Sequence, residues 1–323
     1  MGSDDRSRTV PQRESSAKLA PVQNAERKTL FPPKTGPDEN VRMVMLLWGQ
    51  ANVGKTTWAA TAPGNKLWLS FGDNEHVPVA ARKDVYRIEL FGLSPDEIFK
   101  HGVGSNPFGI RQIITEHNIK TIVCDSLTAV QDLALSKAVA DKIGESNKFV
   151  PTMAQPGRSA FGGRNQFLLE IMRAVAGVAA VMGCHVIFTS HENDPQTKTE
   201  GGVETIDLIS MSLGGQLVNK VSHRISEIWN FRQEQGGQRN RIITTRISAK
   251  RRPMKTRMFD QHGSASFVLN YNPDKPDSAP GQMTIAGFHE QWVKSGLRRI
   301  PVPDNRKGGD DRDNSDIPIK GST

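Results

Sequence analysis

The chain has 323 residues, 36% of them apolar, with a net charge of +8 and a pI near 9.5. That length suits one large core of about 250 residues with polar ends better than two small domains, and the positive excess permits a polyanionic partner without demanding one. Cys124 and Cys184 each sit inside an apolar run, with no C-x-x-C pair and no leading apolar signal segment. The expectation is two reduced, buried thiols in a cytoplasmic protein, and no run approaches the roughly 18 to 20 uninterrupted apolar residues of a membrane span.

In chain order, residues 1–38 are polar, aperiodic and punctuated by proline, and read as a disordered tail. A core over 39–299 follows, with a second disordered tail over 300–323. Within the core, periodicity predicts strands over 43–48, 66–71, 85–91, 119–124 and 185–190, and helices over about 54–61, 106–117, 128–143 and 163–182. Such alternation argues an α/β fold with a mostly parallel central sheet flanked by helices. From about residue 225 the runs Glu227–Phe231 and Arg241–Ile247, separated by Gln235-Gly236-Gly237, predict a β-hairpin that extends the sheet. The segment 278–297, with Phe288, Trp292 and Val293 at helical spacing, predicts a helix docked over the sheet.

Residues 44–57 lead an apolar strand into a G-x-x-x-x-G-K-T loop: Gly49, Gln50, Ala51, Asn52, Val53, Gly54, Lys55, Thr56, then Thr57. Such a loop converges backbone N–H groups on a nucleotide phosphate, helped by the helix that follows. Lys55 then serves the β- and γ-phosphates, and the Thr56 hydroxyl serves Mg2+. The strand Ile122–Cys124 ends in Asp125, the pattern that sets a carboxylate beside a metal; a simple helix cap is the competing explanation. Glu75, after the strand Leu67–Leu69, is a candidate base for an attacking water, again with capping as the alternative. His191 ends another strand and is a candidate reporter of the γ-phosphate, although a lone histidine is more often structural.

These motifs, Gly49 to Thr57, Asp73-x-Glu75-His76 and Val123-Cys124-Asp125-Ser126, resemble in order and spacing the nucleotide-site motifs of RecA-type recombinases. The similarity covers about residues 42–272 and is greatest to the compact phage RecA-like ATPases of single-strand annealing and recombination. It implies ATP and Mg2+ as ligands, with Lys55 and Thr56 on phosphate and metal, Asp125 supporting the metal and Glu75 as base. Where the bacterial pattern has a glutamine after its sensor strand, this chain has His191. Lys255-Thr256-Arg257 resembles the K-x-R pair that such assemblies insert into the neighbouring subunit's site, so the resemblance also implies a homo-oligomeric ring or filament with nucleotide at its interfaces. The competing explanation is a solvated basic strand end, since residues 220–257 hold eleven Lys or Arg against Glu227 and Glu234, a net of nine positive charges.

Two long connections, 144–162 and 192–214, exceed the usual loop length and occupy the places of DNA-facing loops in RecA-like proteins. Lys148, Phe149, Arg158 and Arg164 give the first one aromatic and three cations for single-stranded DNA. The second is poor for phosphate, with Glu192, Asp194, Glu200, Glu204 and Asp207 against Lys198. The combined expectation is a DNA-stimulated ATPase that promotes annealing or strand pairing. The tails are candidate contacts for a single-strand-binding or replication protein; a DnaB-like motor core and a nucleotide-gated adaptor or loader for a DNA-replication or recombination partner are the alternatives.

Overall fold

The computed structural model describes residues 41–142, 152–200, 203–233, 240–247, 251–260, 262 and 264–303, all within the compact unit Asp38–Thr323. In chain order its elements are β1 (Val44–Gly49), α1 (Lys55–Ala59), β2 (Asn65–Ser70), β3 (Val85–Glu89), α2 (Pro95–Gly102), α3 (Ile110–Glu116), β4 (Ile119–Asp125), α4 (Leu127–Lys142), α5 (Gly157–Met182), β5 (His185–His191), β6 (Gln196–Glu200), β7 (Val203–Ser210), α6 (Leu217–Ser222), β8 (Glu227–Gln233), β9 (Arg241–Thr244), β10 (Arg251–Arg252), β11 (Ser266–Val268) and α7 (Ile285–Lys294). Eight strands form the central sheet in the order β11-β9-β8-β1-β5-β4-β2-β3. From β3 to β8 every pairing is parallel, and β9 and β11 add antiparallel at one edge.

Parallel strands covered on both faces need near-continuous apolar runs, and β1 supplies one: Met45, Leu46, Leu47 and Trp48 are all fully buried. One face carries α2, α3, α4 and α5 over Leu46, Ile122, Val186 and Phe188. The other is an aromatic layer in which Trp58, Trp229, Phe259, Phe267 and Phe288 meet at centroid distances of 5.2 to 6.5 Å. Among the described helices α5 alone has the length and apolar composition of a membrane span, and here Leu168, Met172, Val175 and Ala179 bury one side of it against the sheet.

The expected α/β sheet and the hairpin after residue 225 are present, with several corrections. The α5 helix begins at Gly157 rather than 163, so Arg158 lies on a helix instead of in a loop, on the same helix as Arg164. Glycines drew that boundary, yet Gly163 marks a close approach: a Cβ there would stand 3.0 Å from the Ala138 methyl of α4. The 192–214 connection is chiefly the β6–β7 hairpin, joined by β10 in a separate three-stranded sheet. The region expected as one helix over 106–117 is helical as α3 only from Ile110, and α2, which was not anticipated, carries a Ser94/Glu97 capping box. Val293 of α7 is 37% exposed, whereas Phe288 and Trp292 are buried as expected. The boundary placed at 300 falls too early, because Ile300 is buried and pairs with Met258 and Asp260 through its backbone.

Candidate nucleotide site

The carboxyl ends of β1, β2, β4 and β5 converge on the loop after Gly49. Glycine is required at both ends of that loop. At Gly49 a Cβ would fall 1.8 Å from the Phe231 carbonyl oxygen of β8, and Gly54 has φ +95°. Between them Asn52 holds φ 60°, a left-handed conformation that asparagine tolerates. Gln50, Ala51 and Asn52 are exposed, Gly54, Thr56 and Thr57 half-buried, and Val53 is buried in the core, anchoring the loop from beneath. Lys55 starts α1 and is 7% exposed; its Nζ donates to the Gly49 carbonyl at 2.9 Å and to that of Gln50. Burial lowers its pKa to about 8, against the opposing pull of Asp125, Glu192 and Glu75.

On the β5–β4–β2 side, the Thr56 hydroxyl donates to Asp125 Oδ2 at 2.9 Å and the Thr189 hydroxyl donates to Oδ1. Asp125 is buried, which pushes its pKa up, while those two hydroxyls and the Lys55 charge oppose the shift. Glu75 is largely buried beside it. Ser126 Oγ donates to its Oε1 at 2.9 Å and the Gly72 N–H to its Oε2 at 2.9 Å. Burial, then the Asp125 charge, raise its pKa to about 7 against those donors. His191 brings Nε2 within 4.0 Å of Glu75 Oε1. Burial and the Lys55 charge depress the imidazole pKa. Register pairs Gly49 with His191, and the Glu192 N–H donates to the Gly49 carbonyl at 3.0 Å, so β5 reads the start of the phosphate loop directly.

ATP and Mg2+ fit these residues. Among the described residues no three His, Cys, Asp or Glu cluster into a self-sufficient metal cage. The Thr56 hydroxyl and Asp125 form the sparse pair from which a cation draws few protein ligands, as Mg2+ does when phosphates and water supply the rest.

The structure brings Lys55, Thr56, Asp125, Glu75 and His191 together, and leaves other expected residues apart. Lys255 pairs through its backbone with Ile228, and its Nζ donates to the Ile225 carbonyl at 3.0 Å. Ile228 pairs with Leu46, three residues before the phosphate loop, so Lys255 and the exposed Arg257 stand away from this subunit's own site. Arg164 is corrected: it is 7% exposed, its Nη2 donates to the Gly214 carbonyl at 3.1 Å, and a Cβ on Gly214 would overlap its guanidinium. It ties α5 to the 211–216 turn and is not presented to DNA. Arg158 is exposed, while Lys148 and Phe149 lie outside the described residues.

Four participants were not anticipated. Thr189 and Ser126 are the hydroxyl partners of the two carboxylates, and their signal was a polar residue at each strand end. Asn230, the lone amide within the apolar run of β8, donates to the Trp48 carbonyl and to Glu192 Oε2, each at 3.3 Å. Arg241 rests against Gly54; nothing in its sequence context distinguished it from ten other nearby cations.

A phosphate loop on a parallel α/β sheet, with a hydroxyl–carboxylate pair and a second carboxylate at adjacent strand ends, defines a P-loop nucleotide-binding protein. A family model described as an AAA domain matches residues 42–253, more than half of the chain, and the chain belongs to that family of AAA-type ATPase domains. No curated protein matches the chain.

Proposed function

We propose that this chain is a Mg2+-dependent ATPase of the RecA-like kind that assembles head to tail and binds single-stranded DNA to promote annealing or strand pairing. The observation that carries the hydrolytic part is Glu75, a carboxyl with a pKa raised to about 7, held by one donor on each oxygen beside Asp125. A base poised near neutral pH takes a proton from water efficiently. The water oxygen bonds to the γ-phosphorus as the bond to the ADP oxygen breaks; Glu75 takes the proton and releases it to solvent as ADP and phosphate leave. Lys55 offsets charge on the phosphates, and bound Mg2+, held through Thr56 and Asp125, supplies Lewis-acid charge neutralisation. His191 abuts Glu75 and is suited to pass the state of the site to the β6–β7 hairpin that follows it.

The exposed Arg257 beside Lys255 supports a finger offered to a neighbouring subunit. For DNA, the support is the exposed Arg158 near Phe161, an aromatic that is 40% exposed and packs on the buried Arg164 guanidinium at 5.0 Å. The test is ATP hydrolysis with Mg2+ as a function of protein concentration, with and without single-stranded DNA. A rate per subunit that rises with concentration and again with DNA, and vanishes in Lys55→Ala, is expected. Turnover independent of both would refute assembly and DNA coupling, and persistence in Lys55→Ala would refute the site.

A further inference from the structure

We propose that Arg241 is a second cation of the same subunit's nucleotide site, binding phosphate oxygens that ATP and ADP have in common; this rests on the nucleotide-binding part of the function proposed above. Arg241 is the first residue of β9 and pairs with Gln233, at the end of β8 that overlooks the phosphate loop, two residues beyond the Phe231 that pairs with Gly49. Its guanidinium lies on the loop itself: Cζ and Nε are each 3.2 Å, and Nη2 3.5 Å, from the point where a Cβ on Gly54 would stand. Gly54 therefore answers two demands at once, its left-handed φ and the close passage of this arginine. The backbone beneath the side chain is fixed, since the Arg241 carbonyl accepts from Leu269 N–H at 2.7 Å.

The chemistry around the guanidinium is one-sided. Among the described residues no carboxylate is ion-paired with Arg241, whereas Arg82 and Arg87 pair with carboxylates on the β2–β3 side. A planar, permanently charged fork set against a phosphate loop is suited to two oxygens of a polyphosphate. Sheet order says which oxygens. Asp125, Glu75 and His191 stand on β4, after β2 and on β5, all to one side of β1, whereas Arg241 approaches across β8 from the other. The groups for metal and water thus take the end of the nucleotide where chemistry occurs, and Arg241 takes phosphates that remain in the product.

The experiment is calorimetric titration of the full chain with ATP and with ADP, both with Mg2+, comparing wild type, Arg241→Ala, Arg241→Gln and Lys55→Ala, with melting of each nucleotide-free protein alongside. Arg241→Ala is expected to weaken both nucleotides about tenfold to a hundredfold, the worth of hydrogen bonds to a charged group. It should raise KM and leave kcat, with an unchanged nucleotide-free melting temperature. Should Arg241→Ala fold poorly, Arg241→Gln, which keeps length and polarity without charge, is expected to show the same loss. Unchanged affinities in a folded variant, or a loss confined to ATP, would overturn the assignment while leaving the nucleotide site standing. A wild-type chain that binds neither nucleotide would overturn both.

Discussion

Glu75 and Glu227 are both carboxylates drawn into the protein, and burial raises the pKa of each, yet they stand in opposite situations. Glu227 opens β8 at 1% exposure and holds three donors: Thr256 Oγ1 at 2.7 Å and Trp229 Nε1 at 3.0 Å donate to Oε2, and the Arg257 N–H at 2.7 Å to Oε1. Glu75 has one donor on each oxygen, keeps 18% of its side chain exposed, and faces the His191 ring. A perturbed pKa is therefore common to a structural staple and a candidate base. What separates them is acceptor capacity left over for a proton and a path by which water reaches it.

The sharpest way to break this contrast is to remove each carboxylate in turn. Glu75→Gln is expected to lower ATP turnover by a factor of about 10² to 10⁴, the usual worth of a general base, with stability at neutral pH unchanged or improved. Glu227→Ala should do the reverse through folding, leaving three buried donors unmet at a cost of about 3 to 5 kcal/mol in denaturant unfolding. It would also release the segment that presents Lys255 and Arg257. Full turnover in Glu75→Gln, or a Glu227→Ala protein as stable as wild type, would erase the distinction.

The site residues were legible in the sequence by different signals: Lys55 and Thr56 by the G-x-x-x-x-G-K-T spacing after β1, Asp125 as the carboxylate that ends the apolar run of β4, and Glu75 as the acidic residue following β2. Their partners were not, because Thr189 and Ser126 gain meaning only when neighbouring strands, distant in sequence, set them against Asp125 and Glu75. The start of α5 was hidden by Gly157, Gly162 and Gly163, which signal a loop locally, although Gly163 is where α4 packs closely in the fold. The β6–β7 hairpin did have a signal, Gly201-Gly202 between Thr-rich and Ile-rich alternation, and its acidic residues distracted from it.

A pH titration of stability sharpens the contrast at an intermediate size. Glu75 titrates near 7 in the folded chain against 4.5 ordinarily. Below about pH 4.5 it is protonated in both states. Between 4.5 and 7 the unfolded chain releases the proton first, so stability falls with rising pH; above 7 the loss is complete, at most about 3 kcal/mol. Unfolding free energies of wild type and Glu75→Gln should accordingly diverge across that window and run parallel above it. A constant difference from pH 4 to pH 8 would show that Glu75 is not perturbed. The same ionisation sets the acid limb of kcat/KM near pH 7, with an alkaline limb near 8 as Lys55 loses its proton.

The smallest effects come from one donor at each carboxylate. Ser126 Oγ donates to Glu75 and accepts from the Ala129 N–H at 3.3 Å at the start of α4, so Ser126→Ala should cost about 1 kcal/mol as a lost cap. It should also remove one of the interactions holding the Glu75 pKa down, moving the acid limb of kcat/KM upward by less than about one pH unit. Thr256→Ala removes the matching donor from Glu227 and the acceptor of the Met258 and Phe259 N–H groups, both at 3.2 Å, for about 2 kcal/mol. Its acid limb should not move, because Glu227 lies at the far end of β8 from the phosphate loop. A shift in Thr256→Ala, or none in Ser126→Ala, would mean that the limb belongs to a group other than Glu75.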